Sequence, residues 1–213
     1  MNKACFFDRD GVIVEMIYDL ITGHIQTVKN SDEISFVPGI FELLQATKNL
    51  GYKNIIISNQ PDIGLKRISK TNFEKVRSIM LQRLKKEGIK LDGDYYCLHH
   101  PFAKLKQYKK KCDCRKPEAG LILQAAKDHN IDLKKSWMIG DGVNDVIAGH
   151  QAGCKTILIA NLLETEYLRI VEQKLQGIKP NYLVKNLREA QTIVKTFKRS
   201  HVQTFARSNV YAF

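Results

Sequence analysis

Long apolar runs are missing from this 213-residue sequence, in which no stretch approaches the roughly 20 apolar residues of a membrane-spanning helix. Met1-Asn2-Lys3 leads into a short apolar run followed by charges, which does not resemble a secretory signal. There is also no internal repeat, low-complexity segment or linker. These absences argue against a membrane or repeat protein, and we expect a cytoplasmic protein in which residues 1–213 form one domain.

Cysteines and acidic residues are also few. Five cysteines are an odd number, and in a chain with no export signal they argue against a disulfide framework. Asp and Glu number 22 against 34 Lys and Arg, which gives a net charge of +12 and a pI near 9.5. This excess favours anionic partners such as phosphates or nucleic acid, without choosing between them. Several of the cations crowd one segment, from Lys104 to Lys116.

Strand-like and helix-like segments alternate along the chain, which is typical of βαβ units and a doubly wound parallel sheet. Strands are predicted at Lys3–Phe7, Asn54–Ser58, Asp94–Leu98, Ser136–Gly140, Thr156–Ala160 and Asn181–Val184. Helices are predicted after Pro38-Gly39, from a capping box at Thr71-x-x-Glu74, from Lys116-Pro117, and over Asn144–Gly153, Glu164–Gln176 and Leu187–Lys198. Residues 12–36 are predicted to form a short hairpin or flap plus loop, and residues 200–213 a disordered tail or a docked appendage.

Polar side chains follow several of these strands, at the edge where an α/β sheet builds its site. Asp8 and Asp10 follow the first strand, where side chains two residues apart in an exit loop can be aimed at one point. Ser58 ends the second strand and Asp141 follows a later one, while Lys116 precedes a helix. Singly, each residue has an ordinary structural interpretation as a helix cap, a turn or a solvated charge. Together, and in this order, they favour one shared site.

These motifs resemble, over about the first 160 residues, the four signatures of the haloacid-dehalogenase-like (HAD) phosphohydrolases. Within that superfamily the chain is similar to the group containing D-glycero-D-manno-heptose 1,7-bisphosphate phosphatase and the histidinol-phosphate phosphatases. The likeness is carried by Phe7-Asp8-Arg9-Asp10-Gly11-Val12-Ile13, Ser58-Asn59-Gln60, Tyr95-Tyr96-Cys97-Leu98-His99-His100-Pro101, Cys112-Asp113-Cys114-Arg115-Lys116-Pro117 and Met138-Ile139-Gly140-Asp141. The resemblance implies a Rossmann-like α/β fold of HAD type, with no separate cap domain.

The resemblance also implies a magnesium-dependent phosphomonoesterase. Asp8 would form an aspartyl-phosphate, and Asp10 would protonate the leaving alkoxide and then activate water. Mg²⁺ would be bound by Asp8, Asp141 and the backbone carbonyl of Asp10. Ser58 and Lys116 would hold the equatorial phosphoryl oxygens.

Asn59, Gln60 and Arg115 are the predicted substrate contacts, and Arg115 suits a second phosphate because guanidinium groups bind phosphates in a two-pronged manner. The chain departs from the family pattern at three places. Leu65 stands where an arginine is usual, with Lys66 or Arg67 as possible substitutes, Gly142 replaces a common lysine, and the flap at residues 14–26 does not align. All three departures concern the leaving group.

Two short cysteine motifs, Cys97-x-His99 and Cys112-x-Cys114, supply three thiolates and one imidazole. This is a closed tetrahedral zinc set and therefore structural. The loop 97–114 carries many lysines and little apolar content, so we expect it to need a metal in order to be ordered. The resemblance assigns His99 rather than His100 as the ligand.

The leading hypothesis is removal of the C7 phosphate of D-glycero-D-manno-heptose 1,7-bisphosphate, for lipopolysaccharide or glycan precursors, by a monomer with no membrane partner. A histidinol-phosphate phosphatase is the alternative within the group. A nucleic-acid-binding zinc module is the alternative from another class, motivated by the net charge, and a polynucleotide 3′-phosphatase lies between the two. The basic segment contains only Phe102 and Tyr108 as aromatic residues, which argues against nucleic acid.

Overall fold

The computed structural model describes residues 1–18, 20, 23–160 and 173–197. Its strands are β1 (Lys3–Phe7), β2 (Ile17–Tyr18), β3 (Ile25–Gln26), β4 (Tyr52–Asn59), β5 (Gly93–Cys97), β6 (Trp137–Gly140), β7 (Lys155–Ile159) and β8 (Tyr182–Val184). Six of them form a parallel sheet in the order β5-β4-β1-β6-β7-β8. The short strands β2 and β3 form a separate antiparallel hairpin.

The described helices are α1 (Ile40–Asn49), α2 (Lys70–Lys86), α3 (Gly120–Asp128), α4 (Val143–Ala152) and α5 (Leu187–Phe197). Short 3₁₀ turns occur at Ser31–Glu33, Lys106–Tyr108 and Leu133–Lys135. Within the described ranges, no helix has both the length and the apolar character needed to cross a membrane.

The central strand β1 shows why both faces of the sheet are covered. Its side chains alternate, so that Cys5 and Phe7 pack with residues of α1, α2 and α5. Ala4 and Phe6 point the other way and pack with residues of α3 and α4. All four are fully buried, as expected for a parallel strand with helices on both sides.

The order of the strands creates a switch point at β1, because the chain continues from β1 to β4 and β5 on one side and returns to β6 on the other. Phe7 is in register with Ile56 of β4 and with Ile139 of β6. The residues that follow these three positions therefore emerge at one edge of the sheet. In open α/β sheets, a crevice at such a switch point is where ligands bind.

The predicted doubly wound parallel sheet is confirmed, and the six predicted strands lie within two residues of the observed ones. Two helix starts were predicted wrongly. Helix α2 is capped by Ser69, whose side chain accepts from the Asn72 backbone N–H (3.0 Å), rather than by Thr71. Helix α3 begins at Gly120, three residues after Pro117. Most of the predicted helix 164–176 and the whole tail 200–213 lie outside the described residues.

Candidate active site

Asp8 leaves β1 at the switch point, where its backbone N–H donates to the carbonyl oxygen of Ile139 in β6 (3.0 Å). Its Oδ1 accepts a hydrogen bond from the Arg9 backbone N–H (2.7 Å) and lies 3.0 Å from Lys116 Nζ. The Asp8 side chain is 16% exposed, while that of Lys116 is 3% exposed. The carboxylate therefore reaches solvent with a buried cation beside it.

Lys116 is surrounded by oxygen atoms. Its Nζ donates to the carbonyl oxygen of Ile57 (2.8 Å) and to Asp145 Oδ1 (2.5 Å), in addition to its contact with Asp8. Burial disfavours the ammonium form, but the charges of Asp145 and Asp8 outweigh it and raise the pKa of Lys116 above its ordinary value. The ammonium group is therefore a permanent positive charge next to the Asp8 carboxylate.

Asn59 holds the backbone of Lys116 in place. Its Nδ2 donates to the Lys116 carbonyl oxygen (2.9 Å), and its Oδ1 accepts from the Lys116 backbone N–H (3.0 Å). Both ends of the amide are thus used to join β4 to the segment that carries the lysine. Contact of Asn59 with substrate stays a prediction.

Asp10 is only 8% exposed. Its carboxylate accepts hydrogen bonds from the Arg9 guanidinium (Nη2 to Oδ1, 2.8 Å) and from Gln60 Nε2 (2.6 Å). Gln60 Nε2 also lies 3.1 Å from Ser58 Oγ. Gln60 therefore connects two predicted catalytic residues, Asp10 and Ser58. The proposed metal contact through the Asp10 backbone carbonyl stays a prediction.

Three carboxylates form a cluster that can hold a metal ion: Asp8, Asp141 and Asp145 each have an oxygen within 4.8 Å of the others. Asp145 lies in the first turn of α4, and its Oδ2 accepts from the Gly142 backbone N–H (3.0 Å). Burial, with the charges of Asp8 and Asp145, raises the pKa of Asp141 to about 8. Burial likewise raises the pKa of Asp145 to about 6, although Lys116 opposes it. The crowding of hard, mutually repelling oxygens fits a divalent cation such as Mg²⁺.

Gly11 is required by the close approach of Asp141. Its φ angle is +80°, and a Cβ at this position would lie 2.0 Å from Asp141 Oδ2. Only glycine tolerates this backbone angle without strain and leaves room for the carboxylate. The backbone angle and the nearby carboxylate thus explain why a glycine follows Asp10 in the sequence motif.

A second cluster, formed by Cys97, His99, Cys112 and Cys114, lies at the carboxyl end of β5 and in the loop that follows. Cys114 Sγ is 3.1 Å from Cys97 Sγ, 3.2 Å from Cys112 Sγ and 3.2 Å from His99 Nδ1. Burial and the nearby Lys110 lower the pKa of His99, which favours the neutral imidazole that binds metals. Three sulfurs and one nitrogen that all lie within 4.8 Å of one another form the donor set of a tetrahedral zinc ion.

A cavity of about 710 Å³ adjoins the acid cluster through Asn59 and Gln60. The β2–β3 hairpin, which lies within the predicted flap, and the residue after it supply part of the wall of this cavity. Lys29, Arg67 and Arg115 also line the cavity. Of the two basic residues considered as substitutes for the usual arginine, Arg67 lines both this cavity and a neighbouring groove, whereas Lys66 lines the groove and not the cavity.

The five residues expected to converge are brought together by the fold: Asp8, Asp10, Ser58, Lys116 and Asp141. Asp145 belongs to the same sequence motif as Asp141, but sequence reasoning assigned it no role, although an acid four residues after Asp141 at the start of a helix was a usable signal. It also missed the burial of Arg9, which is only 1% exposed. No periodicity reveals the direction of a side chain in an exit loop.

Comparison with known proteins shows which family this chain resembles. A HAD-hydrolase-like family model matches residues 113–190. The D-glycero-beta-D-manno-heptose-1,7-bisphosphate 7-phosphatase of Helicobacter pylori strain J99 is 41% identical over 169 residues, which cover 78% of this chain and 88% of the relative. The enzyme of that name from Pasteurella multocida is 34% identical over 198 residues, covering 93% and 100%.

The fold has solved counterparts. The crystal structure of D,D-heptose 1,7-bisphosphate phosphatase from B. bronchiseptica, complexed with magnesium and phosphate, superposes with a TM-score of 0.69. It shares 22% sequence identity and covers 93% of this chain and 99% of its own. The similarity confirms the HAD-like architecture.

Proposed function

Because the chain belongs to the HAD-like hydrolases, in the family of the D-glycero-beta-D-manno-heptose-1,7-bisphosphate 7-phosphatases, we propose that it removes the C7 phosphate of D-glycero-D-manno-heptose 1,7-bisphosphate. The observation that carries the proposal is the pairing of Asp8 with buried Lys116 beside a three-carboxylate cluster. Such a site neutralises the repulsion between a carboxylate nucleophile and a phosphate dianion.

Asp8 is the nucleophile: one of its oxygens bonds to phosphorus while the bond from phosphorus to the C7 oxygen breaks. Asp10 gives its proton to that oxygen and later removes a proton from the water that hydrolyses the aspartyl-phosphate. Lys116 and the Ser58 hydroxyl bind the phosphoryl oxygens as charge spreads over them. Mg²⁺, when bound at Asp8, Asp141 and Asp145, supplies further charge neutralisation.

Recognition of the substrate falls to the cavity beside Asn59 and Gln60. A bisphosphate needs a second cationic contact, and Arg67 and Arg115 provide guanidinium groups in the same wall. Arg115 Nη1 also donates to the carbonyl oxygen of His99 (3.3 Å), which ties it to the thiol cluster. Zinc in that cluster therefore has a structural role that reaches the substrate cavity. We further propose that the chain is one domain and acts as a cytoplasmic monomer.

The test is a panel of phosphate monoesters assayed with Mg²⁺, using the wild type and Asp8→Asn. The panel contains both anomers of the heptose 1,7-bisphosphate, the heptose 7-phosphate, histidinol phosphate and a 3′-phosphorylated oligonucleotide. We expect the highest kcat/KM for one anomer of the bisphosphate and no turnover by Asp8→Asn. Preference for histidinol phosphate or for the oligonucleotide would overturn the substrate, and failure of every ester would overturn the enzyme.

The role of the cavity is tested with Arg115→Gln. This change should raise KM for the bisphosphate at least tenfold, while KM for the heptose 7-phosphate, which lacks the second phosphate, changes little. Arg188→Gln removes an arginine of the last helix and serves as the control. Equal effects on the two substrates would contradict recognition of a second phosphate by Arg115.

A further inference from the structure

Arg9 lies beneath the site, with its guanidinium turned towards the residue that follows it. Nε is 3.2 Å from both carboxylate oxygens of Asp10, and Nη2 is 2.8 Å from Oδ1. Nη1 is buried and has no hydrogen-bond partner among the described residues. Among the described residues, all side-chain hydrogen bonds of Arg9 therefore go to one carboxylate.

The surroundings of Arg9 keep it away from any substrate. It is 1% exposed and does not line the cavity, whereas Gln60, the other donor to Asp10, does. Its Cζ lies 5.9 Å from the centre of the Phe73 ring, and that ring meets Tyr96 edge-on at 5.2 Å. Any effect of Arg9 on turnover must therefore pass through a neighbouring residue.

The geometry of the contact restricts Asp10 more than a point charge would. A planar guanidinium with two donors facing both oxygens of one carboxylate fixes the rotation of that carboxylate as well as its position. Gln60 Nε2 adds a further hydrogen bond, to Oδ2, at 2.6 Å. A buried ion pair adds little net stability over apolar side chains, so stability alone does not explain a charged pair here.

We propose that Arg9 is a positioning residue that sets the orientation of Asp10 for proton transfer. The inference rests on the proposed function, in which Asp10 donates a proton to the leaving oxygen and then takes one from water. Without Arg9, the hydrogen bond from Gln60 is the one side-chain contact that the described residues leave on the Asp10 carboxylate, which can then rotate away from the orientation needed for proton transfer. The nucleophile Asp8 keeps its contact with Lys116.

p-Nitrophenyl phosphate separates formation of the aspartyl-phosphate from its hydrolysis. Its leaving group needs little protonation, so formation of the aspartyl-phosphate and release of p-nitrophenolate depend weakly on Asp10. Hydrolysis of the aspartyl-phosphate still needs Asp10 as the base. A variant with a misoriented Asp10 therefore accumulates the phosphoenzyme.

The experiment is a rapid-mixing assay of Arg9→Gln with p-nitrophenyl phosphate and Mg²⁺. We expect a burst approaching one p-nitrophenolate per protein, followed by steady turnover roughly 100-fold slower than that of the wild type. KM should fall with kcat, because a covalent intermediate accumulates. The burst also counts the protein molecules whose site is folded, so a misfolded variant cannot imitate this result.

Three further variants complete the test. Asp10→Asn should show the same burst, and Arg9→Gln/Asp10→Asn should turn over no more than about threefold more slowly than Asp10→Asn alone, because both changes act on one group. Arg9→Lys, which keeps the charge but not the two-pronged contact, should recover part of the lost turnover. Arg77→Gln is the matched control, since Arg77 lies 6.0 Å from the Tyr96 ring and pairs with Asp94 rather than Asp10. It should show no burst.

Unchanged turnover in Arg9→Gln would overturn the inference. An equal loss of burst rate and of steady turnover would also overturn it, because the effect would then lie on Asp8. The same holds if the loss of turnover in the double variant equals the product of the losses in the two single variants. If the proposed function itself is wrong, the experiment gives a different result. In that case, the wild type itself shows no Mg²⁺-dependent turnover that Asp8→Asn abolishes.

Discussion

The two clusters of ligand-type side chains in this protein are held in different ways. The acid cluster combines Asp8 after β1, Asp141 after β6 and Asp145 in α4, so that three elements of regular structure position it. It also contains its own cation, Lys116, which is 3% exposed. In the thiol cluster only Cys97 belongs to a strand, and the other three ligands lie in a loop.

The acid cluster is therefore positioned by the folded sheet and helix, whereas we expect the loop of the thiol cluster to depend on a metal to become ordered. The acid cluster is held by the sheet edge and by Lys116, so we expect a bound Mg²⁺ to contribute chemistry rather than shape. The loop between His99 and Cys112 has exposed lysines at 104, 106, 109, 110 and 111, which repel one another. We therefore expect a zinc ion there to contribute structure, because its binding free energy would order the loop.

The largest expected effect comes from removing the internal cation of the acid cluster. Lys116→Met leaves Asp8 and Asp145 without their partner, and we expect the metal-free protein to lose about 3 kcal/mol of unfolding free energy. Urea unfolding with and without Mg²⁺ measures this, and the metal should restore part of the loss. Lys135→Met is the control, because this lysine is 73% exposed and pairs with Asp132 at the surface. An unchanged midpoint in Lys116→Met would show that the acid cluster does not depend on it.

Zinc removal should loosen the thiol cluster and the loop that joins its ligands, and leave the acid cluster unchanged. With a thiol-specific zinc chelator, or in Cys112→Ser, we expect trypsin to cleave the loop roughly 30-fold faster, equivalent to about 2 kcal/mol of local stability. Withdrawal of Mg²⁺ should leave the cleavage rate unchanged. Mass spectrometry of the fragments locates the cuts. Cleavage spread over the whole chain would contradict a local role for zinc.

A pH series distinguishes the clusters further. The raised pKa of Asp141, about 8, means that the folded metal-free protein binds a proton that the unfolded chain releases near pH 4. The unfolding free energy of the metal-free protein should therefore fall as the pH rises from about 4 to about 8. Asp141→Asn removes the titrating group, so its advantage over the wild type should grow between pH 5 and 8.5, to about 1–2 kcal/mol.

Asp132→Asn is the control for that series. The nearby Lys135 lowers the pKa of Asp132, so Asp132 stays ionised throughout the same range. Its effect on the unfolding midpoint should not change with pH. Parallel curves for the wild type and Asp141→Asn would contradict the raised pKa.

The smallest expected effect concerns Asn59, which links β4 to the segment that carries Lys116. Asn59→Ala removes both hydrogen bonds to the Lys116 backbone and should cost about 1 kcal/mol, or 2–4 °C in the thermal midpoint. Calorimetry measures this. Gln45→Ala, which removes an exposed hydrogen bond to Asn49 within α1, should leave the midpoint nearly unchanged. Equal shifts in the two variants would show that Asn59 does not link the regions.

Much of this could be predicted because it is local in the sequence. The apolar run at residues 54–58 requires a strand buried on both faces, and it is found within β4. The spacing of the cysteines and His99 identifies the thiol cluster, because short loops bring near neighbours together. Helix starts were less predictable. Ser69 rather than Thr71 caps α2, and both residue types are suited to that role, so the surrounding chain decides between them.

What the amino-acid sequence determined by itself is therefore the alternation of strands and helices, and the set of polar residues that follow the strands. Tertiary structure decided which of those residues touch. It placed Asp145 against Lys116, turned Asp10 towards Arg9 and Gln60, and brought Arg67 rather than Lys66 to the cavity. The physical reason is that periodicity reports which face of an element is buried, whereas contacts between side chains in loops depend on strand order and register, which join residues distant in the chain.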